Sequence, residues 1–436
     1  MIIQPTIEGS RPLRLLTILM LYVAQGIPIG LFDFAIPAWM ATNGATGGEI
    51  GYVIGMVGLP WSLKFINGFL MDRFTFLAMG RRRSWLIGAQ FAMVAALLFS
   101  ALLSPSPRDV ILIGAIGLVV NAAVVFQDVA ADALAVDVVR GPDEGLVGGL
   151  MAGGQALGIA ISASAASLVI FLFGPGAAYL SCAAIMACVM AYLVWIRERQ
   201  GERRLPWTFG QAATAVSEVQ HTAWKPLVRS AFRHLIRPHS LVWVGGLFLM
   251  GTIYGIMTVA VPLIAVNYAG WNEARLGATN GTAQLLAAIV TITVGGWLTS
   301  KLGAKPFQLV TIALFAGGLL AYLSIQDIWG RQVVMTGLVL GWTVILFLMG
   351  APRATITMMF CSPKTGATQF SIYMAFHNQG ISFAGFTFAY MQGFGGVAAA
   401  LMILVGILTL AGGVVAAIRL PGEAERQGFE KLAPAT

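Results

Sequence analysis

The sequence predicts an all-α integral membrane protein, with twelve spanning helices in two six-helix pseudo-symmetric bundles. Three observations predict it. The 436 residues are 58% hydrophobic and only 10% charged, against about 25% charged and about 45–50% apolar in soluble domains. Mean hydropathy is +0.82. Apolar runs of roughly 20 residues, the length that crosses a bilayer, recur along the chain, and one long polar break divides them evenly. Soluble domains would need far more charged surface, and disorder, collagen and coiled coil fail on the same arithmetic.

The runs cover 14–42, 48–72, 85–103, 109–138, 146–173, 176–197, 239–268, 274–300, 306–325, 331–359, 366–391 and 396–419. Arg11 and Arg14 precede the first, as in a signal peptide. That run continues to Met40, beyond an h-region of about 7–15 residues, so it reads as a retained first span. Gly and Pro inside several runs are tolerated in membrane helices. Cys182, Cys188 and Cys361 form no disulfide frame and no metal spacing, so no cofactor is expected.

Lys and Arg orient the spans. Twenty-one of the 26 fall on one set of loops and termini, only Arg108, Arg275 and Arg331 on the other, and Lys64 and Arg353 inside spans. Both termini and the central loop are therefore expected in the cytoplasm, in an inner or plasma membrane. The net charge of +8 is this topological bias rather than a nucleic-acid surface. The expected domains are an N-terminal bundle, 1–197, a cytoplasmic linker, 198–238, a C-terminal bundle, 239–419, and a cytoplasmic tail, 420–436. In the linker, Trp224, Leu227, Val228, Ala231, Leu235 and Ile236 share one helical face. Lys225, Arg229, Arg233 and Arg237 fall largely on the other, which predicts an amphipathic helix lying on the lipid and ending at Pro238.

The halves carry a repeated turn. The loop after the second run reads Gly68-Phe69-Leu70-Met71-Asp72-Arg73, then Gly80-Arg81-Arg82-Arg83; the loop after the eighth reads Gly296-Trp297-Leu298-Thr299-Ser300-Lys301, then Gly303-Ala304-Lys305. Two six-span halves with this turn resemble the major facilitator superfamily, and the resemblance covers the whole chain. Parallel repeats of that kind place a substrate site near the midplane between halves. Gly68 is expected to allow close helix approach, Asp72 to pair with Arg residues and with a neighbouring helix N-terminus, and Arg81, Arg82 and Arg83 to hold topology, within the motif that also includes Arg73.

A charge at the bilayer centre costs roughly 2.5–3.5 kcal/mol, so Asp33, Lys64, Asp128, Asp132 and Arg353 each need a reason. Asp128 and Asp132 are four apart and share a helical face. Asp137 lies at the cytoplasmic end, half a turn away, and is expected to pair with the basic 73–83 turn. Rises of 1.5 Å per residue place Lys64 and Asp128 at matching depths, roughly 12 and 13 Å from the cytoplasmic end, which predicts an ion pair. Asp33 belongs to the outer half. Two roles stay open for these groups: a static buried pair, or carboxylates that load and release a proton as access alternates. Burial raises a carboxyl pKa and a nearby cation lowers it, so gaining and losing Lys64 would drive such a cycle. Arg353 is read as a gate against Asp128 or Asp132, as a fork for an anionic substrate group, or as a snorkelling helix-end residue.

The eleventh run carries Gln369, Tyr373 and His377 at four-residue spacing, one polar stripe, with Asn378 and Gln379 following. His377 is the one histidine in a run, readable as a proton carrier or as a satisfied core donor. Asn280 and Gln284 form a similar pair on the eighth run, and Gln25, Gln127, Tyr254 and Thr258 are candidates to line a cavity or gate.

Three segments are more specific: Leu59-Pro60-Trp61-Ser62-Leu63-Lys64-Phe65 running on to the basic turn, Gln127-Asp128-Val129-Ala130-Ala131-Asp132-Ala133, and Ala367-Thr368-Gln369-Phe370. Together they resemble the muropeptide permease family (AmpG type), which is similar in turn to acetyl-CoA transporters. The resemblance implies proton-driven uptake of a small-molecule substrate, with Lys64, Asp128 and Asp132 important, and a monomer in the lipid bilayer. It does not extend to Asp33, Arg353 or His377. Some members carry two more spans than the twelve counted here, which leaves muropeptides, peptides, siderophores and acyl-CoA-like anions open as substrates. Export by the same fold is a further possibility. A membrane acyltransferase using His377 and Asn378 is disfavoured, because no second acid–base partner lies nearby in sequence; no enzyme activity is expected.

Overall fold

The computed structural model describes residues 6–74, 76–138, 144–212, 235–360 and 366–420, with the side chains of Phe69, Asp72, Arg73, Val136 and Ser300 among those left out. The amphipathic linker helix lies outside them except at its last residues, as do Cys361 and the tail. Every regular element among the described residues is a helix.

The first is α1, Arg11–Thr42, with a π turn at Leu31–Ala35. Pro37 lacks an N–H and its ring would strike the carbonyl one turn back. Widening the turn over Leu31–Ala35 relieves that clash. Then come α2, Gly47–Ser62, α3, Lys64–Arg73, α4, Arg83–Leu103, α5, Val110–Val138, α6, Glu144–Phe173, and α7, Pro175–Trp195. They are followed by α8, Pro238–Asn267, α9, Glu273–Val290, α10, Gly296–Leu302, α11, Ala304–Leu323, α12, Gln332–Met359, α13, Gly366–Gly393, and α14, Gly396–Ala417.

Ten described helices are long and apolar enough to cross a membrane. The two expected spans outside that set depart for local reasons. The second is broken: Pro60 and the non-helical Leu63 split it into α2 and α3, of 16 and 10 residues. The eleventh, α13, has the length, 28 residues, but the polar run through His377, Asn378 and Gln379 dilutes its hydropathy.

The helices form two compact units. One comprises Met1–Trp39, Ile66–Thr222 and Asn272–Gly281; the other comprises Met40–Phe65, Ala223–Trp271 and Thr282–Thr436. Each unit thus takes a segment from the other half of the sequence. In the first unit α1 lies on α6 through glycines four apart, the spacing that lets membrane helices meet backbone to backbone. A Cβ on Gly26 would sit 2.3 Å from the Gln155 carbonyl oxygen, and one on Gly158 would sit 2.1 Å from that of Val23. In the second unit α13 packs against α2, α8, α12 and α14.

The basic turn is anchored within the first unit. Gly80 has φ +100° and faces Glu198 and Glu202, both buried, where a Cβ would collide. Glu198 Oε2 accepts from the backbone N–H of Arg82 at 2.9 Å and Arg83 at 3.1 Å, closing the N-terminus of α4. Arg83 does more than carry one of the basic charges of the turn. It is fully buried and donates to the carbonyls of Met79, Leu193, Arg203 and Arg204. Asp137 meets Arg82 at 2.9 Å and Arg81 at 3.6 Å. Gly68 departs from expectation: among the described residues the nearest atom to a Cβ there would be Val129 Cγ1 at 4.0 Å, so none of them approaches closely enough to require a glycine.

Candidate functional site

In the first unit a buried polar network joins α1, α4 and α5. Asp128 and Asp132 share one face of α5, and Tyr22 and Gln25, three apart, share the facing stripe of α1. Two parallel donor–carboxylate pairs result. Gln25 Nε2 donates to Asp128 Oδ1 at 2.6 Å, and Tyr22 donates its hydroxyl proton to Asp132. Gln127, one residue ahead of Asp128, turns the other way. Its Nε2 donates to the Leu21 carbonyl at 2.8 Å and its Oε1 accepts from Gln90 Nε2 at 2.9 Å. Tyr22, Gln25, Gln90, Gln127 and Asp128 are all buried. A buried carboxylate is tolerated only where hydrogen bonds stabilise it, and α1 supplies them. Tyr22 and Gln90 were absent from the sequence reading; the three-residue offset of Tyr22 from Gln25 was the available signal.

A second network lies in the second unit, on the stripe of α13. Arg353 follows Pro352 in α12, and its Nη1 meets His377 Nε2 at 2.5 Å. His377 Nδ1 faces Asn378 Oδ1 at 3.4 Å, and Asn378 Nδ2 donates to the Trp61 carbonyl at 3.1 Å, just before the break in the second span. Thr357 donates to the Arg353 carbonyl at 2.8 Å and accepts from Trp243 Nε1 at 3.1 Å. Tyr373 and Ser240 share a hydrogen bond of 2.6 Å. Gln369 is buried on the same stripe.

Asp33 lies in the π turn of α1, and Lys64 opens α3 directly after the break. Lys64 belongs to the second unit, whereas Asp128 and Asp132 belong to the first. Tyr254 packs its ring against Trp342, centroids 6.3 Å apart, and Thr258 donates to the Tyr254 carbonyl. Asn280 and Gln284 are buried on α9, and their side-chain oxygens accept no hydrogen bond among the described residues.

Ten helices long and apolar enough to cross a membrane, with buried polar networks within each unit, are the make-up of a multi-pass membrane protein. The chain belongs to the major facilitator superfamily, whose family model matches residues 18–385. It is 25% identical over 376 residues to the anhydromuropeptide permease of Escherichia coli, an alignment spanning 84% of this chain and 72% of that protein. An uncharacterized protein of Haemophilus influenzae is 28% identical over 152 residues, 31% of this chain and 34% of the relative. The fold matches a crystal structure of the nucleoside transporter NupG with a TM-score of 0.69, covering 93% of this chain and 99% of that one at 13% identity. The protein is therefore a multi-pass membrane transporter of a small-molecule substrate.

Proposed function

We propose that the protein is a proton-coupled symporter. It imports a polar organic solute of the muropeptide or peptide class across the inner membrane by alternating access, with both termini in the cytoplasm. The observation that carries this reading is the pair of carboxylates, Asp128 and Asp132, which accept hydrogen bonds from the neutral side chains of Gln25 and Tyr22 on α1. Neutral Gln25 and Tyr22 stabilise the charged form yet can also serve the protonated one, as a group that loads and unloads a proton requires. Asp33 and Lys64 complete the proposed coupling set. Similarity to a permease named for anhydromuropeptides supports the substrate class.

Radiolabelled anhydromuropeptide uptake into proteoliposomes tests the reading. Accumulation is expected only under an imposed proton gradient, and a protonophore should abolish it. Equal uptake with and without the gradient would remove proton coupling. Accumulation in inverted vesicles with an acidic interior would turn the importer into an exporter.

A further inference from the structure

The geometry of Arg353 and His377 points to a second coupling site in which a substrate anion and a proton bind together. A guanidinium only donates, so the 2.5 Å contact makes His377 Nε2 an acceptor. The ring is then neutral, its one proton on Nδ1, directed at Asn378 Oδ1. The amide orientation agrees, because Asn378 Nδ2 is committed to the Trp61 carbonyl.

Arg353 spends Nη1 on this bond and has an edge left over. Its Nε is buried and makes no hydrogen bond, and Nη2 has no partner among the described residues. Nε and Nη2 form the planar edge that grips a carboxylate or phosphate with two parallel bonds. No described carboxylate lies within ion-pair distance of the guanidinium. The elements packed against α12 and α13 carry Glu49 and Tyr52 on α2, and His239 and Tyr254 on α8. Lys301 lies on α10, Lys305 and Tyr322 on α11, and Tyr373 and Tyr390 on α13 itself. Among described residues none of these is hydrogen-bonded or ion-paired to Arg353 or His377. Arg353 is half-buried with its Nε fully covered; a cation partly withdrawn from water without a counter-charge is costly, and an incoming anion supplies that charge.

The two binding events are linked through one lone pair. A proton on Nε2 removes the acceptor that Arg353 uses, breaks that bond and sets two cations side by side. An anion on the Nε–Nη2 edge offsets that repulsion. By linkage the anion tightens proton binding by the same factor that the proton tightens anion binding. The ligand chemistry is a carboxylate on the solute, carried inward with a proton held on His377. The inference rests on the importer reading above for its biological meaning, not for its geometry.

Nitrogen-15 NMR of ring-labelled histidine in the purified full chain tests it, with acetate as probe and neutral acetamide, at equal ionic strength, as reference. The His377→Gln spectrum assigns the His377 signal among the four histidines. Acetate is expected to raise the proton affinity of His377 Nε2 at least tenfold, and Arg353→Gln should abolish that difference. Identical titrations in acetate and acetamide would overturn the inference, as would an acetate effect that survives Arg353→Gln. Inorganic phosphate in place of acetate identifies the anion class; a response to phosphate alone overturns the carboxylate assignment. The importer reading fails separately. If the NMR coupling is present but proteoliposomes show no gradient-driven uptake of anhydromuropeptide, the site stands and the proposed transport function falls.

Discussion

The carbonyl of His377 lies directly against Gly251. A Cβ added to that glycine would sit 1.8 Å from the His377 oxygen, and one added to Gly380 would sit 2.0 Å from the Phe248 oxygen. The backbones of α8 and α13 therefore touch where the buried histidine is held. Gly251→Ala must push the helices apart, and overpacking of this kind costs about 1–3 kcal/mol. A lower melting temperature and reduced uptake are expected, measured beside Gly245→Ala, where a Cβ meets open space and both readouts should stay near wild type.

Asp128 accepts from Gln25 at 2.6 Å in a buried setting. Asp128→Asn keeps shape and hydrogen-bonding capacity but cannot exchange a proton at physiological pH. Accumulation driven by a proton gradient should vanish, while expression and thermal stability stay near wild type. A variant that fails to accumulate in the membrane would instead mark a structural role for Asp128.

Tyr22 is the donor to Asp132. Hydrogen bonds to charged groups contribute about 1.5–3 kcal/mol, and each 1.4 kcal/mol is roughly tenfold in rate. Tyr22→Phe is expected to slow initial uptake by roughly ten- to hundredfold with little change in the amount of folded protein. An unchanged rate would show that this bond is not used in the transport cycle.

Glu202 sits beside the basic turn, outside the spans, and burial followed by the neighbouring Glu198 pushes its carboxyl from 4.5 up to about 7. Between those values the folded protein binds more protons than the unfolded chain, so stability falls as pH rises through the window and levels off above it. Glu202→Gln keeps an acceptor for the Arg199 N–H and removes the titration. Melting curves from pH 4.5 to 7 should show wild type losing stability relative to the variant. Parallel curves would count against the buried carboxylate pair as a pH-sensitive element.

Much of the fold was legible because membrane insertion is governed by local quantities. Hydropathy, run length and the sidedness of Lys and Arg identified the helical membrane class. The polar stripe of α13 was visible from four-residue spacing alone. The break at Leu63 was less so: Pro60 is common within spans, and its effect depends on whether neighbouring groups re-satisfy the freed carbonyl. In the site, Gln25, Gln127, Asp128 and Asp132 stood out as polar groups in apolar runs. Tyr22 did not, since tyrosine is ordinary in a membrane helix, and Gln90 was a single amide in a long run.

By itself, then, the sequence determined the class of protein, the positions of its helices and the short set of polar side chains that the membrane would not tolerate idly. Only the tertiary structure decided which of them meet. Arg353 and His377 lie 24 residues apart on different helices, and their contact depends on the rotation and register of α12 against α13. The position of α13 is fixed in turn by its backbone packing on α8, where Gly251 meets the His377 carbonyl. Hydropathy sums along the chain, whereas a hydrogen bond of 2.5–3 Å depends on how whole helices settle against one another.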